Sequence, residues 1–298
     1  MWERRIRITG GRRSARLGLT GAMGGQGKMS LRLSDTDLDF IVQHAAPEFE
    51  DKLKLKQLIR EDESFRKGLV GDERVFRKAM VEEEIILRIS PPLYFEILLR
   101  KALNELEKAS HTIERAGTEI IAVFDAKEVV GFLSRQAILD YLTDMLSSFT
   151  RVESYVISLR ARKGIWRKIK FNDMDIDALT RLCEAMDEGH RFSFYKRIGD
   201  VCLFISGIFP EYAQFDYRYP FSGEVRPKIA RAMRWGDEDY EAEGRKYYKL
   251  AAEHQAAIDL ELSEVFWLLH QKFNIARKPL NFIAEHYLHF SKHRLFGM

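Results

Sequence analysis

The spacing of apolar residues is the feature that most constrains the fold. From Ser34 onward these residues recur mainly at intervals of three and four positions, which gives an α-helix one apolar face. Helix-start signals agree with this spacing: Ser34 and Asp72 precede periodic segments, and Ser90-Pro91-Pro92 precedes a long amphipathic one. The sequence therefore predicts a mainly α fold, a multi-helix bundle of about ten or eleven helices.

The period changes to two in one segment near the middle of the chain. Tyr155 to Leu159 and Ile165 to Phe171 are rich in β-branched and aromatic residues, and Arg162-Lys163-Gly164 separates the two runs. This pattern predicts one small β-hairpin inserted between two helical halves, near residues 152–171. The predicted organisation is a leader over residues 1–28, an N-terminal helical half over 29–150, the basic hairpin over 151–172, and a C-terminal helical half over 173–298.

Residues 1–28 differ in composition from the rest. They hold seven of the nineteen glycines and seven cations against one acid, without helical periodicity, so we expect a disordered leader. The remaining chain has a net charge of −3, although the whole chain carries +3, and this argues against a generic polyanion binder. The Gly24-to-Lys28 stretch is what a purine-rich ribosome-binding site would encode, and this suggests that Met29 is the true start.

Cysteine content and hydropathy bear on the compartment. Cys183 and Cys202 lie in separate apolar helical stretches, which excludes a disulfide framework and favours a reducing cytoplasm. The most apolar run, Val201 to Phe209, is about half the length of a membrane span, so no membrane partner is expected. The sequence predicts a cytoplasmic protein.

Common catalytic motifs are missing. The chain has no glycine-rich phosphate loop after a strand, no Gly-x-Ser-x-Gly, no Cys-x-x-Cys pair and no His-Glu-x-x-His. This disfavours the common hydrolases, kinases and dehydrogenases, and we lean against an enzyme. No cofactor is expected, although a metal ion stays open as an alternative.

The metal alternative comes from histidines near the C-terminus. On a helix running from Pro279 to about His293, three imidazoles would fall within about 60° of one another. Acidic residues on the preceding helix would complete a carboxylate–histidine set. The candidate ligands are Glu261, Glu264, His286, His289 and His293. The plainer interpretation is helix-flank histidines that keep one nitrogen in water.

The hairpin suggests a second alternative, a nucleic-acid-binding regulator. Its cations would contact phosphates without reading bases. They are Arg160, Arg162, Lys163, Arg167, Lys168 and Lys170. Against this, Asp140 and Asp144 are expected on the solvent face of the preceding helix, where they would repel phosphate. The plainer interpretation is that the charges prevent edge-to-edge strand pairing.

Asp200 is a candidate buried acid. It is the only charged residue between Ile198 and Pro210, so on a central helix its carboxylate must be paired or hydrogen-bonded, and Arg197 is one candidate partner. A structural role is favoured over a buried functional acid.

Two patterns in the last third of the chain resemble a known one. Gly199-Asp200-x-x-Leu203-Phe204-x-x-Gly207-x-Phe209-Pro210, followed by Gly244-x-x-Tyr247-Tyr248, resembles a pattern in uncharacterised helical proteins of bacteria. The resemblance implies a bacterial helical protein and brings no activity or binding residue with it.

A long loop from Pro210 to Pro227 interrupts the helices. Aromatic residues with polar tips suit partner surfaces and pocket walls, and a loop of this length is often functional. The interaction-loop candidates are Tyr212, Phe215, Tyr217, Tyr219 and Phe221. An equally open interpretation is that they pin the loop to the core.

The leading functional prediction is a non-catalytic cytosolic interaction or scaffold protein that uses the aromatic loop and the adjacent helices. The protein partner is not identified, nucleic acid is the alternative partner, and a homo-oligomer is left open.

Overall fold

The structure is a computed structural model, and it confirms the mainly α fold. It describes residues 7–8, 33–82, 84–116, 119–151, 154–162, 165–211 and 236–297, with only the backbone for 7–8, 114–116, 119–120, 154–162 and 165–172. Fifteen α-helices lie in this described part, more than predicted because several predicted helices divide into shorter ones. The predicted leader lies outside it, except for two residues.

The first third of the chain is helical. Its helices are α1 (Asp35–Ala45), α2 (Lys52–Glu61), α3 (Glu63–Val70), α4 (Glu73–Val81), α5 (Ile85–Arg88) and α6 (Pro91–Leu106). Ser34 caps α1 as predicted, because its hydroxyl accepts from the Asp37 backbone N–H at 3.1 Å and Asp37 accepts from the Ser34 N–H at 2.8 Å. The other Asp37 oxygen accepts from the Ser90 N–H at 2.7 Å. This carboxylate therefore joins the starts of α1 and α6.

Two hairpins and two helices follow α6. The elements are β2 (Thr112–Ala116), β3 (Glu119–Val123), α7 (Ala126–Leu133), α8 (Gln136–Phe149), β4 (Ser154–Arg162) and β5 (Ile165–Asn172), and a short strand β1 (Arg7–Ile8) precedes α1. The antiparallel β4–β5 pair confirms the predicted hairpin, and β1 pairs with β4. The β2–β3 hairpin was not predicted from the sequence.

The last part of the chain forms the centre of the bundle. Its helices are α9 (Ile176–Ala185), α10 (Phe192–Ile208), α11 (Asp237–Glu253), α12 (Gln255–Asp259), α13 (Ser263–Gln271), α14 (Phe273–His286) and α15 (Lys292–Leu295). Buried apolar side chains from Leu38 to Phe296 form one continuous core, which both predicted halves share. Within the described residues, no helix combines the length and apolar character needed to cross a membrane.

Helix α10 is buried along most of its length, and glycines allow its neighbours to approach. A Cβ on Gly199 would lie 3.0 Å from the ring of Tyr248 on α11, and one on Gly244 would lie 2.3 Å from the ring of Phe273 on α14. The two glycine patterns in the last third of the chain therefore encode the packing of α10, α11 and α14.

Candidate functional site

A cavity of about 330 Å³ lies among the end of α10, the start of α11, α14 and the C-terminal residues. Arg277, Asn281 and Glu285 line it from α14, four positions apart, so they share one stripe of that helix. The opposite, apolar stripe of α14 includes Leu280 and Ile283, which are buried. The amphipathic sequence of α14 thus places a polar stripe in the cavity wall.

Polar side chains in the cavity wall donate hydrogen bonds to the last carbonyl oxygens of α10. With its amide oriented by hydrogen bonding, the Asn281 nitrogen donates to the carbonyl oxygens of Ser206 at 3.1 Å and Gly207 at 2.6 Å. The Lys292 ammonium donates to the carbonyl oxygen of Ile208 at 3.2 Å. These carbonyls have no partner inside α10, and a cation there also suits the helix dipole.

Two ion pairs line the cavity. Lys292 Nζ lies 2.6 Å from a carboxylate oxygen of Glu211, whereas Arg277 and Asp237 approach only to 3.7 Å. In each pair the carboxylate side chain is 36% exposed and the cation is more buried, at 12% for Lys292 and 16% for Arg277. Burial raises the pKa of Asp237, and the nearby Arg277 opposes part of that rise.

The β2–β3 hairpin supplies an apolar part of the wall through Ile113. Thr112 Oγ1 donates to Asp125 at 2.5 Å, and buried Lys278 of α14 forms an ion pair with Asp125 and a 3.2 Å hydrogen bond to Thr112. These contacts attach the base of the hairpin to α14. They therefore explain why Ile113, which is 48% exposed, lies at the cavity.

Histidines and an exposed aromatic residue lie at the C-terminal side of the cavity. His289 and His293 both line it. The ring centroid of Phe290 is 4.7 Å from that of His289, and Phe290 is 97% exposed. We call Ile113 and Phe290 together the apolar rim.

The expectation that one helix carries all three C-terminal histidines is wrong. Helix α14 begins at Phe273, contains Pro279 in its interior and ends at His286. His289 lies in the following turn and His293 in α15, so the predicted stripe does not form. His286 instead stacks on Phe282, and its Nδ1 donates to the Phe282 carbonyl at 2.9 Å.

The other predicted metal ligands, Glu261 and Glu264, are not grouped with the C-terminal histidines. Glu261 lies in a turn with a φ of 56°, and Glu264 lies in the first turn of α13. In the part of the chain that the structure describes, no three His, Cys, Asp or Glu residues are grouped in a way that could hold a metal ion.

Predicted residues of the hairpin and the aromatic loop are only partly covered. The register pairs Arg160 with Trp166, Ser158 with Lys168 and Val156 with Lys170. The remaining nucleic-acid candidates are Arg162 and Arg167, which are strand residues, and Lys163, which lies outside the described residues. The interaction-loop residues, Tyr212, Phe215, Tyr217, Tyr219 and Phe221, also lie outside them.

Asp200 is fully buried, as its sequence context predicts. It accepts hydrogen bonds from the hydroxyls of Tyr141 and Tyr248, the latter at 3.0 Å, and it pairs with Lys196 at 2.8 Å. Burial, strengthened by the Asp200 charge, raises the pKa of both tyrosines well above the usual value. Asp200 therefore joins α8, α10 and α11 in the core.

The partner of Asp200 is not the one suggested by the sequence. Arg197 points its guanidinium at Asp173 instead, with Nη2 2.6 Å from a carboxylate oxygen, and it donates to Ser148 Oγ at 2.8 Å. Lys196, one residue earlier and four before Asp200, takes the expected role.

The expectation that Asp140 and Asp144 lie on a solvent face is wrong. Asp140 is only 6% exposed, and burial raises its pKa to about 6, with the Glu96 charge adding to the rise. Arg66 Nη2 lies 3.9 Å from Asp140, and Gln136 Nε2 donates to Asp140 at 2.6 Å. Burial also raises the pKa of Asp144. Asp144 is half-buried, so the polar stripe of α8 is largely covered rather than open to solvent.

The buried cluster around Asp140 includes residues that the sequence reasoning missed. Arg100 donates to Glu96 Oε1 from Nε at 2.9 Å and from Nη2 at 2.7 Å, and Arg66 Nη2 lies 3.5 Å from the same oxygen. Glu96 Oε2 is buried without a hydrogen-bond partner among the described residues. The available signal was the isolated charge itself, because Glu96 stands in an apolar run as Asp200 does.

Comparisons of this chain with known protein families, with curated proteins and with solved structures find no match. The resemblance to helical proteins of bacteria therefore stays a prediction.

Proposed function

We propose that this protein is a non-catalytic interaction protein. Its contact surface would be the cavity with its apolar rim, together with the loop that follows Pro210. One observation carries the proposal: described residues from both sides of the 212–235 segment line the cavity. Glu211 lies directly before this segment, and Asp237 follows Gly236, the first described residue after it.

The physical character of this surface supports partner binding. Ile113 exposes an apolar side chain in the cavity wall, and the exposed Phe290 contacts His289, which lines the cavity. Interfaces typically place apolar or aromatic anchors at the centre and polar groups around them. A partner that covered the apolar rim would gain about 25 cal/mol for each Å² of apolar area removed from water.

A reducing, cytosolic setting fits this proposal. Cys183 and Cys202 are both free and buried, and burial raises the pKa of the Cys183 thiol to about 11. Buried cysteines that form no disulfide are compatible with a reducing compartment.

The experiment compares copurification by the whole protein and by variants of the rim. Phe290→Ser and Ile113→Ser should lower recovery of any specific partner at least about fivefold, measured by quantitative mass spectrometry. Leu53→Ser is the matched control, since Leu53 is 79% exposed but lies on α2 and does not line the cavity. Recovery unchanged in both rim variants, or lost equally in the control, overturns the proposal.

One observation keeps the nucleic-acid alternative open. The expected repulsion of phosphate by Asp140 is weakened because this carboxylate is buried beside Arg66. Reversing the charges of Arg162, Lys163 and Lys168 should abolish retention on heparin at low salt if the hairpin binds phosphate. Absence of retention by the unchanged protein contradicts this alternative.

A further inference from the structure

In the two ion pairs that line the cavity, the more exposed group is the negative one. Glu211 and Asp237 are each 36% exposed, whereas their cationic partners Lys292 and Arg277 are mostly covered. Lys292 is also engaged by the carbonyl oxygen of Ile208. A group entering the cavity therefore meets carboxylate oxygens before it meets ammonium or guanidinium groups.

Asp237 has acceptor capacity that the described residues do not use. The 3.7 Å distance from Arg277 to Asp237 Oδ2 is longer than a hydrogen bond, and Oδ1, which is buried, accepts no hydrogen bond among the described residues. A cationic donor beside this carboxylate would offset the desolvation that raises its pKa.

The acidic first turn of α11 is not explained by capping alone. Asp239 performs the capping role, because its Oδ2 accepts from the Gly236 backbone N–H at 2.8 Å. Asp237 takes no part in that hydrogen bond and lines the cavity instead. Glu238, between them, is exposed and adds to the negative potential at the edge.

We infer that the cavity receives a cationic side chain of a protein partner, a guanidinium or an ammonium group flanked by apolar residues that pack on the apolar rim. The inference rests on the proposed function, since it names the chemistry of the partner at that same surface. An anionic group is disfavoured because the carboxylates of Glu211 and Asp237 are more exposed than Lys292 and Arg277, the cations that line the same cavity. The volume of about 330 Å³ is at the small end of ligand pockets and suits a single long side chain.

The test uses acetyl-Leu-Arg-Leu-amide and its citrulline analogue, which has nearly the same shape without the charge. Binding to the full chain is measured by calorimetry or by NMR at low salt. We expect the arginine peptide to bind at least about fivefold more tightly than the citrulline peptide, with the difference shrinking as salt is added.

Variants locate the binding. Asp237→Asn and Glu211→Gln should each weaken arginine-peptide binding at least about threefold and leave citrulline-peptide binding unchanged. Glu253→Gln is the matched control, because Glu253 is 49% exposed at the other end of α11. Circular dichroism of each variant verifies that it is folded.

Equal binding of the two peptides overturns the inference, as does absence of binding by both or an arginine preference that Asp237→Asn leaves intact. The proposed function is tested separately. If copurification depends on Phe290 but the arginine peptide binds no better than the citrulline peptide, only the cationic side chain is contradicted. If neither the Phe290 dependence nor the arginine preference is found, the interaction surface itself is contradicted.

Discussion

Replacing Asp140 with Asn should make the protein more stable at neutral pH and have a smaller stabilising effect in mild acid. Asp140 is 6% exposed, and its pKa is raised from 3.8 to about 6. A folded-state pKa above the unfolded value means that the folded chain binds the extra proton. The wild-type protein therefore loses stability as the pH rises from about 4 to about 6, and the loss persists above that range.

The size of this loss follows from the pKa difference. One pKa unit corresponds to 1.36 kcal/mol, so a rise from 3.8 to about 6 is worth about 3 kcal/mol. Asparagine does not titrate, yet its side-chain oxygen still accepts the Gln136 hydrogen bond, which is 2.6 Å long in the wild-type protein. The stability of Asp140→Asn relative to wild type should thus increase by about 3 kcal/mol between pH 4 and pH 7.

Urea unfolding at several pH values between 4 and 7.5 measures this difference. Carboxylates remote from Asp140 titrate in both proteins and cancel in the comparison. Asp177→Asn is the control, because Asp177 is exposed in the first turn of α9, and its effect should vary by less than about 0.5 kcal/mol. A pH-independent effect of Asp140→Asn, or a change of the opposite sign, would refute the assignment of a destabilising buried charge.

Three further substitutions or reactions test the packing of α10. Gly244→Ala places a methyl group 2.3 Å from the Phe273 ring and should cost about 1–3 kcal/mol in urea unfolding; no loss would mean that α11 and α14 are less close than described. Tyr248→Phe removes one of three donors to buried Asp200 and should also cost about 1–3 kcal/mol, with a cost near zero arguing against that hydrogen bond. The thiol of Cys202 has a pKa raised by burial and should react with a maleimide only after unfolding, so rapid labelling of the native protein contradicts its burial.

Local signals made the helices and the main hairpin predictable. Ser34 and Ser90 start helices where their hydroxyls cap the first turn, and these contacts span only three residues. The β2–β3 hairpin was not predicted although its pairing of Thr112–Ala116 with Glu119–Val123 is local; what the sequence could not report is its attachment to α14. Lys278 reaches Thr112 and Asp125 from the other end of the chain, and no local spacing reports such a contact.

The site was predictable only in part for a similar reason. The sequence predicts His289 and His293 on one helical stripe, and they do line one cavity, but from a turn and from α15. The sequence does not point to Arg277 and Asp237. Their association depends on how α14 packs beside the start of α11 rather than on either local sequence.

The polar stripe of α8 shows what helical periodicity leaves undetermined. A helix with one apolar and one polar stripe fits either the protein surface or a position between two layers of helices. Groups of opposite charge on neighbouring helices determine which of the two positions it takes. Asp140 meets Arg66, which lies on α3, and Asp144 lies near Lys196 of α10, which lowers its pKa against the effect of burial. Isolated charges in apolar runs, such as Glu96 and Asp200, are the sequence signal for such layers, because each requires a partner of opposite charge or a hydrogen-bond donor on a neighbouring helix. The isolated Glu96 of α6, like Asp200 of α10, therefore requires a charged partner. In the structure its partners are Arg66 and Arg100.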